Sequence, residues 1–412
     1  MSVLLDALAE RDPENFENLE LGSDDMLADV QQTLAGWATR RPFYVVDDGM
    51  PLAICGRYAD VHEVLMDTKR FSTLIPKKVG HEKFDKFVGV QTLAQMDGEA
   101  HMRMRRLMNP AFSPKAMLRL EAGVGRVIDG MLDDIERKRR FDGMADYANR
   151  LLDGALLTVM LRLEEEQRSI FRRMHELIPL TTRVKAGESV PDVVVQAFDA
   201  ARRTIQAVVD ERRANPGEDF ISDLLAASDG DDRFSDKEVF DVLFTVCVAA
   251  LSGTARAMGG VLYSLYCHPD QLEELRRDLT LVPLAIEECV RYHRGGYLLF
   301  PRIATEDTEI GGTFIPEGMI VRVSQQAANY DPTMFPDPLR FDVRRDPKRI
   351  MSFGMGPHQC VGNRLARMAM QQALTKLVER FPDARLEDGQ FRARYGGAIG
   401  ELKILELPMV TG

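Results

Sequence analysis

The chain has 412 residues, 45% of them hydrophobic and 28% charged, which is ample for a sizeable buried core. Its formal net charge of −11, with no long lysine or arginine tract, argues against nucleic acid and anionic membrane as partners. The opening MSVLLDALAERDPENFENLE carries acids where a secretory signal carries basic residues and a longer apolar run. The most apolar internal piece, 242–255, stops at Arg256, short of the ~20 residues that span a bilayer. A soluble, cytoplasmic protein is expected.

In chain order, FYVVDDGMPLAICG (43–56) predicts a hairpin turning at Asp-Asp-Gly. SPKAMLRLEAGVGRVIDGMLDDIERK (113–138) begins with a serine cap and keeps apolar residues three and four apart, which predicts a helix. PDVVVQAFDAARRTIQAVVDERRANP (191–216) predicts another, with proline at both ends. In 235–269, Ser235 and Glu238 form a capping box and no proline intervenes before Pro269. A helix of that length reaches about 50 Å and, being apolar nearly all round at its centre, is buried on most faces. TEDTEIGGTFIPEGMIVRVS (305–324) predicts short strands broken by Gly-Gly and Pro-Glu-Gly. After Cys360, Leu365, Ala369, Ala373, Leu377 and Phe381 recur every fourth position, the apolar face of a closing helix. With no repeat and no linker, the expectation is one large domain over 1–412, mainly α with a small β portion.

The five cysteines, Cys55, Cys247, Cys267, Cys289 and Cys360, contain no CxxC pair, against a disulfide framework or a structural zinc site. Three of the first four sit in apolar surroundings and read as small core residues. Cys360 is set differently, between a glycine-rich turn and the start of a helix. Unpaired N–H groups and the positive end of the helix dipole favour a thiolate there. Three uses of such a thiolate compete. A nucleophile wants a base, for which His358 is near in sequence; a redox thiol wants a resolving cysteine, and none is near. A lone axial ligand to haem iron needs one thiolate on a rigid loop.

FGMGPHQCVG (353–362) fits the pattern Phe-Gly-x-Gly-x-(Arg/His)-x-Cys-x-Gly and resembles the haem-binding loop of the cytochrome P450 family. EECVR supplies Glu288 and Arg291 in the spacing Glu-x-x-Arg. ANYDPTMFPDPLRFDVRRDP (328–347) resembles the family's meander, and HMRMRRLMNPAFSP (101–114) its helix over one side of the haem. The order of these pieces matches the family across nearly the whole chain.

The resemblance implies the cytochrome P450 fold, with haem b (iron protoporphyrin IX) between the helix 235–268 and the cysteine loop 353–362. Cys360 becomes the metal ligand, donating electron density to the iron in support of O–O cleavage. Phe353 and Gly354 belong to the cofactor-binding loop, and His101, Arg105, Arg302 and His358 match positions that pair with the two propionates. A histidine often found before the loop is replaced by Ile350, beside Arg349. Glu288, Arg291 and a meander arginine, Arg345, are expected to form a buried structural network.

Where the family sets an acid followed by threonine on the long helix, the chain has Ser252 and Gly253, with Thr254 one position on. In a regular helix Thr254 points about 100° away; a local π-turn would bring it inward. Leu298, Leu299, Phe300, Ala398, Ile399 and Ala249 are candidate pocket lining, and Arg256 a candidate anchor for an acidic substrate. Arg364, Arg367, Lys348, Arg349, Arg103 and Arg106 are a candidate basic patch for an acidic electron donor.

The implied activity is a haem-thiolate monooxygenase. It would insert one oxygen atom of O2 into a small hydrophobic or aromatic molecule, taking NAD(P)H-derived electrons through a ferredoxin or flavodoxin and its reductase. A monomer is expected. An H2O2-driven peroxygenase is the alternative, and a haem-based sensor or carrier without turnover a third reading.

Overall fold

The computed structural model describes residues 8–47, 49–74, 92–182, 189–293, 295–298, 301–397 and 400–412. The chain divides into two compact units. The first gathers Met1–Ile75, Pro283–Cys360 and Tyr395–Lys403, and the second Pro76–Val282, Val361–Arg394 and Ile404–Gly412.

The first unit is built on a five-stranded sheet. The expected hairpin forms from Phe43–Asp47 and Met50–Cys55, paired antiparallel from Phe43 opposite Ile54 to Asp47 opposite Met50. Ile320–Val323 joins in parallel, Ile320 opposite Leu52, and Arg302–Ala304 and Phe71–Ser72 extend the sheet antiparallel. β-Branched and aromatic residues suit these positions because their side chains pack on a pleated, buried surface. Tyr44, Val61, Phe71, Ile310 and Val321 are among the side chains that close this core.

The helix Val282–Tyr292 brings Glu288 and Arg291 onto one face, both with side chains 0% exposed. Arg291 Nε and Nη2 donate to the two Glu288 oxygens at 2.6 and 2.8 Å, and Arg345 Nε adds a third bond at 3.1 Å. The remaining donors reach into the meander. Arg291 Nη1 meets the carbonyls of Asn329 and Pro338, and Arg345 Nη1 that of Pro336. The expected triad is therefore present, with every arm of both guanidiniums occupied, which is what makes burying these charges tolerable.

The second unit is mostly helical. The long helix runs Asp236–Tyr266 and opens with the expected capping box: Ser235 Oγ accepts from Glu238 N, and Glu238 Oε2 accepts from Ser235 N at 2.7 Å. The helix Pro114–Lys138 is capped by Ser113, as its sequence predicts, and the proline-bounded segment becomes Asp192–Ala214. Asn363–Arg380 packs on Pro114–Lys138. Lys376 pairs with Asp129 at 2.6 Å and Arg380 with Asp133 at 2.7 Å along the shared rim. A short sheet sets Pro408–Val410 between Arg385–Leu386 and Arg140–Asp142. Gly143–Ala148 and Asp153–Met160 are π-helical, a geometry the apolar spacing does not distinguish from an α-helix. Among the described residues no helix is long and apolar enough to cross a membrane.

Two predictions follow from the first unit. Glu288→Gln leaves two guanidiniums against a neutral amide and should cost about 3–5 kcal/mol of stability in urea denaturation. A loss below about 1 kcal/mol, the scale of an exposed pair, contradicts it. His293, stacked on Tyr395 with Nε2 3.2 Å from the phenol oxygen, has its imidazole pushed down to about 4 by burial. An unfolded histidine titrates near 6.5, so between these values the unfolded chain holds more protons. This contribution to stability is complete above pH 6.5 and is lost as pH falls from there toward 4. His293→Phe should flatten the decline of stability over that window; equal slopes for the two proteins contradict the assignment.

Candidate haem site

The loop that carries Cys360 is fixed by backbone geometry before any ligand is considered. Gly354 N donates to Met351 O at 2.9 Å, Gln359 N to Gly356 O at 3.1 Å, and Cys360 N to Phe353 O at 2.8 Å. The middle of the loop is a 3₁₀ turn, Gly356–His358. Gly356 has φ +70°, and a Cβ there would lie 2.8 Å from the Leu65 carbonyl oxygen and 3.0 Å from Met66 Sδ. Only glycine meets both demands.

The start of the loop is tied back to the Glu288–Arg291 helix. Asn329 Oδ1 accepts from Met351 N at 2.8 Å, Asn329 Nδ2 donates to Ser352 Oγ at 2.9 Å, and Ser352 Oγ donates to Val290 O at 2.6 Å. All three groups are buried, so this relay is strong and rigid. Sequence reasoning quoted ANYDP as a family feature but did not see Asn329 as the loop's anchor. The linear signal is weak, because Gln325, Gln326 and Asp331 stand close by and nothing marks Asn329 among them.

Cys360 is the one exposed cysteine of the five. Cys55, Cys247 and Cys289 are buried, as their apolar settings predict, and Cys267 is half-buried. Burial pushes all four thiols up, Cys247 to about 12 and Cys267 to about 11, so they stay neutral. The helix Asn363–Arg380 opens three residues after Cys360, with Gly362 as an N-cap that makes no side-chain hydrogen bond.

The other expected haem contacts are placed as follows. Arg302 is buried in its strand, with Nη1 3.3 Å from the Pro301 carbonyl oxygen, and His358 is half-buried at the end of the 3₁₀ turn. Phe353 and Gly354 are both half-buried at the loop's start. In the second unit, His101 is buried and Arg105 half-buried, four residues apart on one face of the helix Gly98–Met108. Arg349 is exposed at φ +65°, and its carbonyl accepts from the Tyr58 hydroxyl at 2.9 Å.

The long helix is α-helical throughout 236–266, so the π-turn that would swing Thr254 inward is not formed. Thr254 and Gly253 are half-buried, and a Cβ built on Gly253 meets nothing within 4 Å. The side chains of Ser252 and Ala249 lie outside the described residues, as do Leu299, Phe300, Ala398 and Ile399; Leu298 is buried.

The expected basic patch is corrected in part. Arg103 is held by Asp232 at 2.8 Å and by Glu238, and Arg106 by Glu99 at 2.8 Å and Asp229 at 3.1 Å. Lys348 pairs with Asp346 at 3.2 Å. For Arg103 and Arg106 the partners Asp229, Asp232 and Glu238 are distant in sequence, so these charges look free when the chain is read linearly. Arg364 and Arg349 remain exposed.

The donor set fits a haem. It offers one accessible sulfur on a rigid loop and, among the described residues, no group of three or more His, Cys, Asp or Glu side chains that would hold a bare metal ion.

Comparison with known proteins agrees. The family model "Cytochrome P450" matches residues 13–390. Cytochrome P450 107B1 of Saccharopolyspora erythraea is 32% identical over 375 residues, covering 89% of this chain and 90% of that one. 6-Deoxyerythronolide B hydroxylase of the same organism is 33% identical, covering 69% of each. The solved structure of the bacillaene polyketide synthase cytochrome P450 PksS from Bacillus subtilis 168 superimposes with a TM-score of 0.84 at 26% identity, covering 95% of this chain and 98% of that one. The chain belongs to the cytochrome P450 family, and with it to the haem b monooxygenases that use O2 and NAD(P)H-derived electrons.

Proposed function

We propose that this protein is a cytoplasmic monooxygenase working as one cytochrome P450 domain over 1–412. It inserts one atom of O2 into a small hydrophobic organic molecule, with electrons from a separate ferredoxin or flavodoxin and its reductase. The observation that carries the reading is Cys360: an exposed thiol on a loop that Asn329 and Ser352 lock in place, in a chain whose other cysteines are covered. When bound, haem supplies the oxygen-activating iron.

The chain's own residues supply the surroundings. Cys360 would hold the haem iron, and Phe353, whose carbonyl accepts from Cys360 N, and Gly354 belong to the same loop. In their respective units, His101 and Arg105, and Arg302 and His358, would donate to propionates, where charged hydrogen bonds contribute roughly 1.5–3 kcal/mol each. Arg349 and Arg364, both exposed, are better placed to attract an acidic donor protein than Arg103 or Arg106, which are already paired. The relatives named for 6-deoxyerythronolide B hydroxylation and for a bacillaene polyketide synthase favour a substrate of that hydrophobic kind, for which a mostly apolar pocket with few polar anchors is suited.

Proton delivery is where this chain departs from its family. Gly253 offers no hydroxyl, Thr254 is turned a helical step away, and the carboxylate position holds Ser252. A water chain or a hydroxyl of the substrate then has to carry the proton. The same observation favours, as second reading, an enzyme that accepts H2O2 directly.

The test is turnover. Substrates found by the low-spin to high-spin shift of the haem band are incubated with ferredoxin, reductase and NAD(P)H, or with H2O2 alone. Product from the donor chain supports the proposal, product from H2O2 only supports the second reading, and no product from either removes both. Because open space surrounds a Cβ at 253, Gly253→Thr should fold normally and lower the H2O2 released per NAD(P)H consumed. Unchanged leakage means that proton supply is not limiting.

A further inference from the structure

Ser324 to Asn329 forms a short capped turn of helix whose buried polar side chains are nearly all committed. Ser324 Oγ accepts from Ala327 N at 3.1 Å. Gln326 Nε2 donates to the carbonyls of Arg291 and Tyr292 at 2.7 and 3.1 Å. Asn329 is spent on Met351 and Ser352. Gln325 is the exception. It is 0% exposed, and both its amide oxygen and its amide nitrogen lack a hydrogen-bond partner.

Two buried polar atoms left in that state cost roughly 1–3 kcal/mol each, so the amide is expected to have a use. Its position points to one. A Cβ built on Gly354 would lie 3.5 Å from Gln325 Nε2 and 3.6 Å from the His358 carbonyl oxygen. Amide nitrogen and carbonyl oxygen thus both lie within 3.6 Å of one point beside Gly354 of the cysteine loop. Gly354, at φ +73°, leaves that spot clear where any side chain would fill it.

We propose that Gln325 is a positioning residue for Cys360. Its amide is the polar contact reserved for the cysteine loop, taken up at the His358 carbonyl when Cys360 binds the haem iron, and it holds the sulfur against loss from the metal. This rests on the haem-thiolate reading above. An apolar residue at 325 would serve the bare loop better; only the loaded loop needs the amide.

The signs of the two states therefore separate. Gln325→Leu and Gln325→Met keep the volume and remove the polar head. Both should raise the melting temperature of the haem-free protein, because an unsatisfied amide is gone. In the haem-loaded protein that gain should vanish, and the thiolate-type ferrous–CO band should decay to the non-thiolate form roughly tenfold faster than in the parent, the scale of one buried hydrogen bond. Equal stabilisation of haem-free and haem-loaded protein with an unchanged decay rate overturns the proposal, since Gln325 would then be a plain defect. Faster decay in Leu alone also overturns it, since branching and not the amide would be responsible. A parent protein with no thiolate-type band fails the haem reading itself, and this inference with it.

Discussion

The structure around Cys360 depends on burying the Glu288–Arg291 ion pair, with the partly buried Arg345 bonded to it. Glu288 alone, fully buried, would be untenable; so would Arg291. Packed against each other and Arg345, with their spare donors on the carbonyls of Asn329, Pro336 and Pro338, they form a unit that exists only when the meander is folded. Asn329 then carries that order forward to Met351 and Ser352, at the root of the cysteine loop. Buried ion pairs are poor sources of net stability, but they are intolerant of alternatives. Here that intolerance fixes a loop whose sulfur has to sit in one place.

Much of this was legible from the residues. Ser235 and Glu238 announced the long helix and cap it. The turn signal of 43–56 marked the hairpin, whose strands pair antiparallel from Phe43 opposite Ile54 to Asp47 opposite Met50. Glycines around Cys360 marked a backbone that other residues resist, and Gly356 pressed against the Leu65 carbonyl shows why. The helix cap and the hairpin are local: the cause and its effect lie within a few residues, whereas the carbonyl that presses on Gly356 comes from the distant Leu65.

What sequence did not reveal is set by distance along the chain. The parallel pairing of Ile320–Val323 with Met50–Cys55 joins segments far apart in sequence, and no periodicity encodes it. Arg103 and Arg106 looked available because Asp229, Asp232 and Glu238 lie beyond any local window. The π-helical stretches 143–148 and 153–160 have the same apolar spacing as an α-turn over so few residues. Gln325 reads as an ordinary polar residue until its burial is known. Conversely, the unbroken α-helix through Ser252, Gly253 and Thr254 removes a π-turn that the sequence left open.

All of these features bear on one proposed bond, between the Cys360 sulfur and haem iron. The most direct measurement is the ferrous–CO absorption spectrum of the haem-loaded protein beside that of Cys360→Ser. The account predicts a band at the position characteristic of sulfur-ligated haem in the parent and its absence in the variant. A variant that keeps the band, or a parent that binds haem without showing it, contradicts the account.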